Sequence, residues 1–427
     1  MNLVWLLVAL LALIFIDVPI AVALGLVAVA AMTLTWGTHV LPNVGLTLFD
    51  ASTNFTLIAI PLFILAGSIM NVSGISRRLL AFVSSLVGWV RGGLAMVTIG
   101  SSMLLAEISG SAVAGVAALG SILIPAMEKR GYPTPFAAAV TSSSSTLAVI
   151  LPPSLPMILY AVMSGTSVVE LFAAGIVPGV IGGGALMVTA YVLARRRGYP
   201  VEGRFAWQRV LETLREASWA LLLPVIVLGG IFSGWVTATE GAGLAVASAL
   251  LIGGLAYREL SWPRLRKAMV DGGIQTAVVM LLVTTSALLG DYLTLVQAPQ
   301  QFAETLLAWT SNKWVILALL NVFFLLIGMF LHSAAAIILV VPIVMPLVEA
   351  AGIDPVHFGL VVTLNLGVGQ QTPPVASVLV TACSVAKADI WEVTRANLPF
   401  IAVLTGVLLL ATYVPSVPLA LVEWLYR

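Results

Sequence analysis

Two short stretches of small, neutral residues carry the groups with which this chain could do chemistry. The first combines Ser109-Gly110-Ser111 with the run Ser142-Ser143-Ser144-Ser145-Thr146 and with Pro152-Pro153-Ser154. A di-proline removes backbone donors and cannot continue a helix regularly. Carbonyls freed there, together with serine hydroxyls, form an uncharged oxygen cage suited to a monovalent cation. The competing reading is that Ser and Gly are simply small enough to let helices pack closely. A break and a di-proline at matching places favour the cage.

The second stretch sets His332-Ser333-Ala334 against Asn365-Leu366-Gly367-Val368-Gly369-Gln370-Gln371-Thr372-Pro373-Pro374. Glycines leave carbonyls approachable, and Asn365, Gln371 and Thr372 offer neutral groups to an anionic or hydroxylated substrate, with Ser142 and Ser154 as partners from the first stretch. Side-chain amides inside apolar helices are costly unless satisfied, so either binding or interhelical hydrogen bonding must account for them. Three ionisable residues stand nearby. Glu107 either tunes cation affinity or bonds within a wet cavity. His332 either titrates or is a satisfied buried imidazole, and Glu240 reads as a helix cap. No GxSxG, HExxH or GxxxxGK[ST] pattern is present, so hydrolase chemistry and ATP-driven pumping by this chain have no visible machinery.

The elements that must position these residues follow from composition. Of 427 residues, 60% are hydrophobic and 9% charged, with mean hydropathy +1.11. Soluble domains carry about 25% charge, so the chain reads as an all-α polytopic membrane protein. A net charge of +1 gives no nucleic-acid signal, and the single Cys383 excludes an internal disulfide framework. The amino terminus lacks a basic n-region and reads as a retained span rather than a signal peptide. Ten of 19 basic residues fall in two patches, Arg195, Arg196, Arg197, Arg204, Arg209 and Arg215, then Arg258, Arg264, Arg266 and Lys267. Basic loops stay on the cytoplasmic side, as do Arg77, Arg78, Arg91, Lys129 and Arg130. Residues 92–127 therefore start and end on one face and break at Ser109-Gly110-Ser111, which is the pattern of a re-entrant hairpin. Irregular backbone at membrane depth is tolerated only inside protein or along a cavity.

Self-similarity decides the architecture. At one ungapped offset of 221, Pro125 meets Pro346, Gly131 meets Gly352, Pro152 and Pro153 meet Pro373 and Pro374, and Pro178 meets Pro399. These residues mark shared breaks. Each half then reads as three spans, a surface arm, a hairpin, a broken span and a final span. The first half gives 2–17, 18–36, 52–71, an arm at 75–90, then 92–127, 135–165 and 170–194. The second gives 217–236, 240–257, 272–292, an arm at 296–311, then 312–347, 354–386 and 392–415. Five crossings per half invert the second half, so its hairpin opens outside, both termini lie outside, and Lys313 is the one basic residue on that side. The scaffold would be 1–91 and 217–311, the moving halves 92–194 and 312–427, and the cytoplasmic linker 195–216. Inverted repeats with interrupted helices point to a secondary transporter.

The passages ISGSAVAGVAALGSILIPAMEKRGY, ILPPSLPMILYAVMSGTSVVELFAAGIVPG, IGMFLHSAAAIILVVPIVMP, GIDPVHFG and GQQTPPVASVLV resemble the large membrane subunit of tripartite ATP-independent periplasmic (TRAP) transporters over essentially the full chain. The resemblance implies an elevator-type, sodium-coupled importer of organic acids such as C4-dicarboxylates or sialic acid, in the bacterial inner membrane. It implies a small four-helix membrane subunit and a periplasmic substrate-binding protein as partners. It also implies one sodium site at Ser109, Gly110, Ser111, Ser144, Thr146 and Pro152, and another at Ser333, Ala334, Gly367, Thr372 and Pro374. Many relatives carry an acidic residue and a threonine where this chain has His332 and Ala334, which shifts ligation at the second tip toward backbone carbonyls. The alternative class is a stand-alone citrate or dicarboxylate carrier that needs no binding protein.

Overall fold

The computed structural model describes residues 3–16, 18–109, 112–199, 201 and 205–427, and among these every regular element is helical. The first repeat begins with α1 (Leu3–Phe15), α2 (Ile20–Trp36), α3 (Leu41–Ser52) and α4 (Ala59–Val72), followed by the arm α5 (Ile75–Val87). The hairpin helices α6 (Gly93–Ser109) and α7 (Ala112–Lys129) come next, then the interrupted pair α8 (Thr134–Ser145) and α9 (Leu155–Ser164), and the long α10 (Val168–Arg196). The second repeat runs α11 (Trp207–Phe232), α12 (Ala238–Leu251), α13 (Trp262–Leu295) and the arm α14 (Ala298–Trp309). Its hairpin is α15 (Lys313–Phe330) with α16 (Ser333–Ala350), its interrupted pair α17 (Pro355–Gly369) with α18 (Ser377–Ala386), and then come α19 (Ile390–Tyr413) and α20 (Ser416–Tyr426).

The repeat offset is visible in the helix limits themselves. Helices α7 and α16 start and stop 221 residues apart, and α8 and α17 start 221 apart. Gly131 and Gly352 both turn the chain at positive φ, 83° and 63°, after equivalent hairpin helices. Each accepts the same job: a left-handed residue just past a helix end lets the next amide reach back to an orphan carbonyl. Thus Tyr132 N donates to Met127 O and Ile353 N to Val348 O. The matched prolines behave differently from the expectation that they mark breaks. Pro125, Pro178, Pro346 and Pro399 all lie inside helices, where packing against neighbouring helices absorbs the lost bond. Of the matched prolines only the di-prolines lie outside helices, in the gaps between α8 and α9 and between α17 and α18.

Contacts gather the basic residues at one end of the molecule. Arg77 and Arg78 both bind Glu259, Ser85 bonds Thr213, Tyr257 bonds the Glu216 carbonyl, Trp89 packs on Phe205, and Tyr132, Phe136 and Tyr199 cluster with Phe400. The other end carries Arg427 paired with Glu170 and Asp354, and Tyr426 bonded to the Phe232 carbonyl. The hairpin α6–α7 begins and finishes at the basic end, whereas α15–α16 begins and finishes at the opposite one. The two repeats are therefore inverted.

Helices α8 and α17 form the centre. Every residue from Phe136 to Ser145, and from Val356 to Gly369, is buried. Twelve residues make an α-helix only about 18 Å long, too short for a hydrocarbon layer of about 30 Å, so α8 ends part-way across and must end inside protein.

Some element limits differ from the sequence reading. The linker 195–216 becomes helical at Trp207, and Arg209 and Arg215 belong to the first turns of α11, because amphipathic residues there continue the apolar period beyond the bilayer. Residues 41–52 form α3 and residues 416–426 form α20; neither is long enough to register as a span. The equivalent of α3 is fused into the 34-residue α13. Lys313 is not the one basic residue at the non-basic end, since Arg427 joins it, held there by two carboxylates. Glu240 completes a capping box with Thr237 at the start of α12, the cap its position suggested.

Candidate functional site at the paired helix breaks

Helix α8 loses regularity at its serine run. Thr146–Val149 tightens into a 3₁₀ turn, and Pro152 and Pro153 prevent recovery until Ser154. The Ser154 hydroxyl accepts from Met157 N at 3.4 Å and donates to the Val149 carbonyl at 2.5 Å, closing the break from both sides. The C-terminal carbonyls of α8 and the N-terminal amides of α9 consequently face one interruption. The aligned peptide dipoles make the first end attractive to cations and the second to anions. Helix α17 repeats the device. Its end at Gly369 is followed by the Thr372-Pro373-Pro374 turn and Ala376 at φ 48°, whose amide donates to the Met329 carbonyl of α15.

The two breaks meet. Thr146 and Gly367 occupy equivalent positions in the two repeats, and the Thr146 hydroxyl lies 3.5 Å from the Gly367 carbonyl. The pseudo-twofold axis passes between them. A side chain at Gly367 would put its Cβ 2.7 Å from Thr146 Cγ2, so glycine is what permits the approach. Gln371 then fastens the halves. It donates to the Ser142 carbonyl at 2.7 Å and to Thr146 Oγ1 at 2.8 Å, and it accepts from Ser142 Oγ at 2.5 Å and Asn397 Nδ2 at 3.1 Å. All four bonding positions of the amide are filled.

The first set of sequence-derived residues is brought together as far as it is described. Ser144 and Thr146 are fully buried, and Ser144 Oγ bonds Ser102 Oγ of α6 at 2.9 Å. Pro152 sits in the break behind them. Ser109 ends α6, while Gly110 and Ser111, and the side chains of Ser109 and Glu107, lie outside the described residues. In the second set Ser333 and Ala334 open α16, and Gln370 Nε2 donates to Ser333 Oγ. Thr372 Oγ1 bonds the Val368 carbonyl at 3.2 Å, and Pro374 is exposed. His332 is the half-buried N-cap residue of α16, with no side-chain capping bond.

The residues singled out for substrate are already engaged within the fold. Ser142 and Gln371 bond each other, Ser154 caps α9, and Asn365 Nδ2 donates to Asn321 Oδ1 at 2.5 Å and to the Val361 carbonyl at 2.9 Å. Asn321, Asn397, Ser102 and Thr412 escaped sequence reasoning, and Gln370 stands in the second stretch with no role of its own assigned there. Asn321 donates to Thr412 Oγ1 at 3.1 Å, extending a buried polar track from α17 through α15 to α19. The signal that could have found it is an amide in an otherwise apolar span, present at both Asn321 and Asn397. The Oδ1 atoms of Asn365 and Asn397 are buried acceptors without a partner among the described residues.

Chemically, the cluster offers hydroxyl, amide and carbonyl oxygens and, among the described residues, no carboxylate. Among the described residues no group of three or more His, Cys, Asp or Glu could hold a metal ion. Neutral oxygen donors suit a weakly charged ion that must also leave, rather than a tightly held divalent one.

Comparison with known proteins places this geometry. Residues 7–417 match the family described as "Tripartite ATP-independent periplasmic transporter, DctM component". The chain is 41% identical over 408 residues to the isethionate TRAP transporter permease protein DctMQ of Oleidesulfovibrio alaskensis, covering 95% of this chain and 64% of that protein, so it spans under two thirds of that relative's length. It is 38% identical over 383 residues to the C4-dicarboxylate TRAP transporter large permease protein DctM of Pseudomonas aeruginosa, covering 90% of each. The crystal structure of the Alcanivorax borkumensis YdaH transporter, titled as revealing an unusual topology, matches at TM-score 0.63 and 16% identity over 88% of each chain, a likeness of fold. Inverted repeats, paired hairpins and paired breaks thus belong to a chain that is a member of the DctM component family of tripartite ATP-independent periplasmic transporters.

Proposed function

We propose that this chain catalyses sodium-coupled, ATP-independent uptake of a small organic acid across the bacterial inner membrane. A small four-helix membrane subunit and a periplasmic binding protein complete the machine, the latter delivering the substrate. The observation that carries the reading is the meeting of two inverted helix breaks at Thr146, Gly367 and Gln371, buried among neutral oxygen donors. Helix C-termini and hydroxyls at Ser144, Thr146 and Thr372 would hold sodium as co-transported substrate. The amino termini of α9 and α18 would face the organic anion, for which helix dipoles and backbone N–H groups supply attraction without an arginine. Because Gln371 ties both breaks into one bonded unit, the hairpins and interrupted helices would move together against α1–α5 and α11–α14.

Relatives of nearly equal identity are named for isethionate and for C4-dicarboxylates. Their shared chemistry is a small oxygen-rich anion, and that is the substrate class proposed here. The basic end is the cytoplasmic one in this reading, with both termini periplasmic.

Proteoliposomes holding the three components provide the test, with the acid bound by the partner binding protein as cargo. Uptake is expected to follow an inward sodium gradient, and Ser144→Ala and Thr372→Ala to weaken apparent sodium affinity. Uptake indifferent to that gradient overturns the reading.

A further inference from the structure

A cavity of about 510 Å³ separates hairpin α6–α7 from the scaffold. This is within the 300–1,000 Å³ of small-molecule sites. One end reaches Ser145 and Ala148 at the break of α8; the other reaches Asn71, Ser76 and Arg77 at the α4–α5 corner, on the basic end of the molecule. Its two long walls differ in chemistry. Helix α7 contributes Ala114, Gly115 and Ala118, while α4 presents Ile64, Gly67, Ser68 and Asn71. The α4 residues follow i, i+3, i+4, i+7 spacing and so share one face. From α13 comes Gln275, exposed within an apolar stretch. An amide in that setting is expensive against lipid and reasonable against a wet cavity.

Charge singles out the scaffold wall further. Arg77 is the only ionisable residue on the lining among the described residues. Its Nη2 is 2.9 and 3.1 Å from the two oxygens of Glu259, yet Arg78 Nη2 takes the same carboxylate at 2.7 Å. One carboxylate thus serves two guanidiniums, and Arg264 adds a third through the Glu259 carbonyl at 2.7 Å. The group around Glu259 thus holds three guanidiniums against one carboxylate, and Arg77, its member on the cavity lining, retains N–H groups in a fork suited to carboxylate or sulfonate oxygens.

We propose that the scaffold face formed by Ser68, Asn71, Gln275 and Arg77 is an anion-binding surface of the inner passage, contacted by the organic acid after it leaves the helix breaks. The scaffold then contributes selectivity for anions rather than serving only as a rail. This rests on the transport reading above, but its test requires no transport and so can fail by itself.

The experiment measures the local field in the assembled complex, in inverted membrane vesicles, with the native cysteine replaced (Cys383→Ser). Gln275→Cys, and separately Ser68→Cys, are labelled with an anionic methanethiosulfonate (ethylsulfonate) and a cationic one (ethyltrimethylammonium). Both positions are expected to react from the basic face. Adding Arg77→Gln should lower the anionic-to-cationic rate ratio roughly tenfold, the scale on which a charged cleft concentrates counter-ions, and Arg77→Lys should restore most of it. Lack of reaction from that face, or a ratio shifted less than twofold with Arg77→Gln, overturns the proposal. An acidic headgroup presents similar oxygens, so labelling is repeated in phosphatidylcholine vesicles with and without phosphatidylglycerol. Block confined to phosphatidylglycerol would make the site a lipid seat and overturn the assignment to the transported acid.

Discussion

Thr146 and Gly367 hold the symmetry axis through the absence of one atom. With Cβ only 2.7 Å from Thr146 Cγ2, Gly367→Ala forces a shift in one break or the other, an overpacking cost of about 1–3 kcal/mol. Thr146→Ser removes the offending methyl and keeps the hydroxyl that accepts from Gln371. The expected outcome is therefore a lowered melting temperature for Gly367→Ala, largely recovered in the Gly367→Ala/Thr146→Ser pair, as read by thermal unfolding of the detergent-solubilised protein. Simple addition of the two single effects would show that the halves do not touch there. Gln371 illustrates how one side chain can have two readings from sequence. An amide at a break looks like a substrate ligand, but its four bonds bind the two repeats to each other.

At the scale of elements, the arm α5 is set by the corner it turns on. Gly74, at φ 74°, lets the chain double back beside Glu259, and that carboxylate receives both Arg77 and Arg78 while Arg78 lies 3.8 Å over the Tyr257 ring. The hydrogen bond from Arg78, followed by the nearby arginine charges, holds the Glu259 carboxyl below its ordinary range. A lowered folded-state value means that the contribution is complete above the unfolded carboxylate range and is lost as pH falls through the folded value. Glu259→Gln should remove this dependence. Hydrogen exchange of α5 is expected to rise as pH drops below the usual glutamate range in the parent, and to be raised and flat with pH in the variant. The energy is small because the pair stands at the surface with Arg77 exposed, so the arm rather than the whole fold should loosen. Unchanged α5 exchange in Glu259→Gln would show that packing alone seats the arm.

At the scale of the whole molecule, orientation and inversion are one question. The basic end collects Arg77, Arg78 and Arg264 around Glu259, while the far end holds Arg427 neutralised by Glu170 and Asp354. At Asp354, burial opposes ionisation, but bonds from Arg427 and from the His357 and Val356 amides outweigh it and lower its pKa. The C-terminal helix α20 is thereby fixed to both repeats on the face read as periplasmic. An alkaline phosphatase fused after Arg427 should be active and a green fluorescent protein fused there dark. The reverse pattern would turn the molecule over and place the further cavity on the outer side.

From sequence alone came the membrane class, the inverted repeat and the positions of both breaks. These rest on local physics: apolar run length, retention of basic loops, and the inability of Pro152-Pro153 or Pro373-Pro374 to sustain a helix. What only the tertiary structure decided is which broken ends face each other. Thr146 meets Gly367 across 221 residues, and Gln371 reaches Ser142 across 229. The two clusters that looked separate along the chain share one axis. Likewise the matched prolines inside α7, α10, α16 and α19 carry no local sign that neighbouring helices will absorb them, and α3 and α20 are too short for their hydropathy to stand out. The cavity beside Arg77 is the clearest case, because a space is defined by what fails to pack, and no residue encodes that by itself.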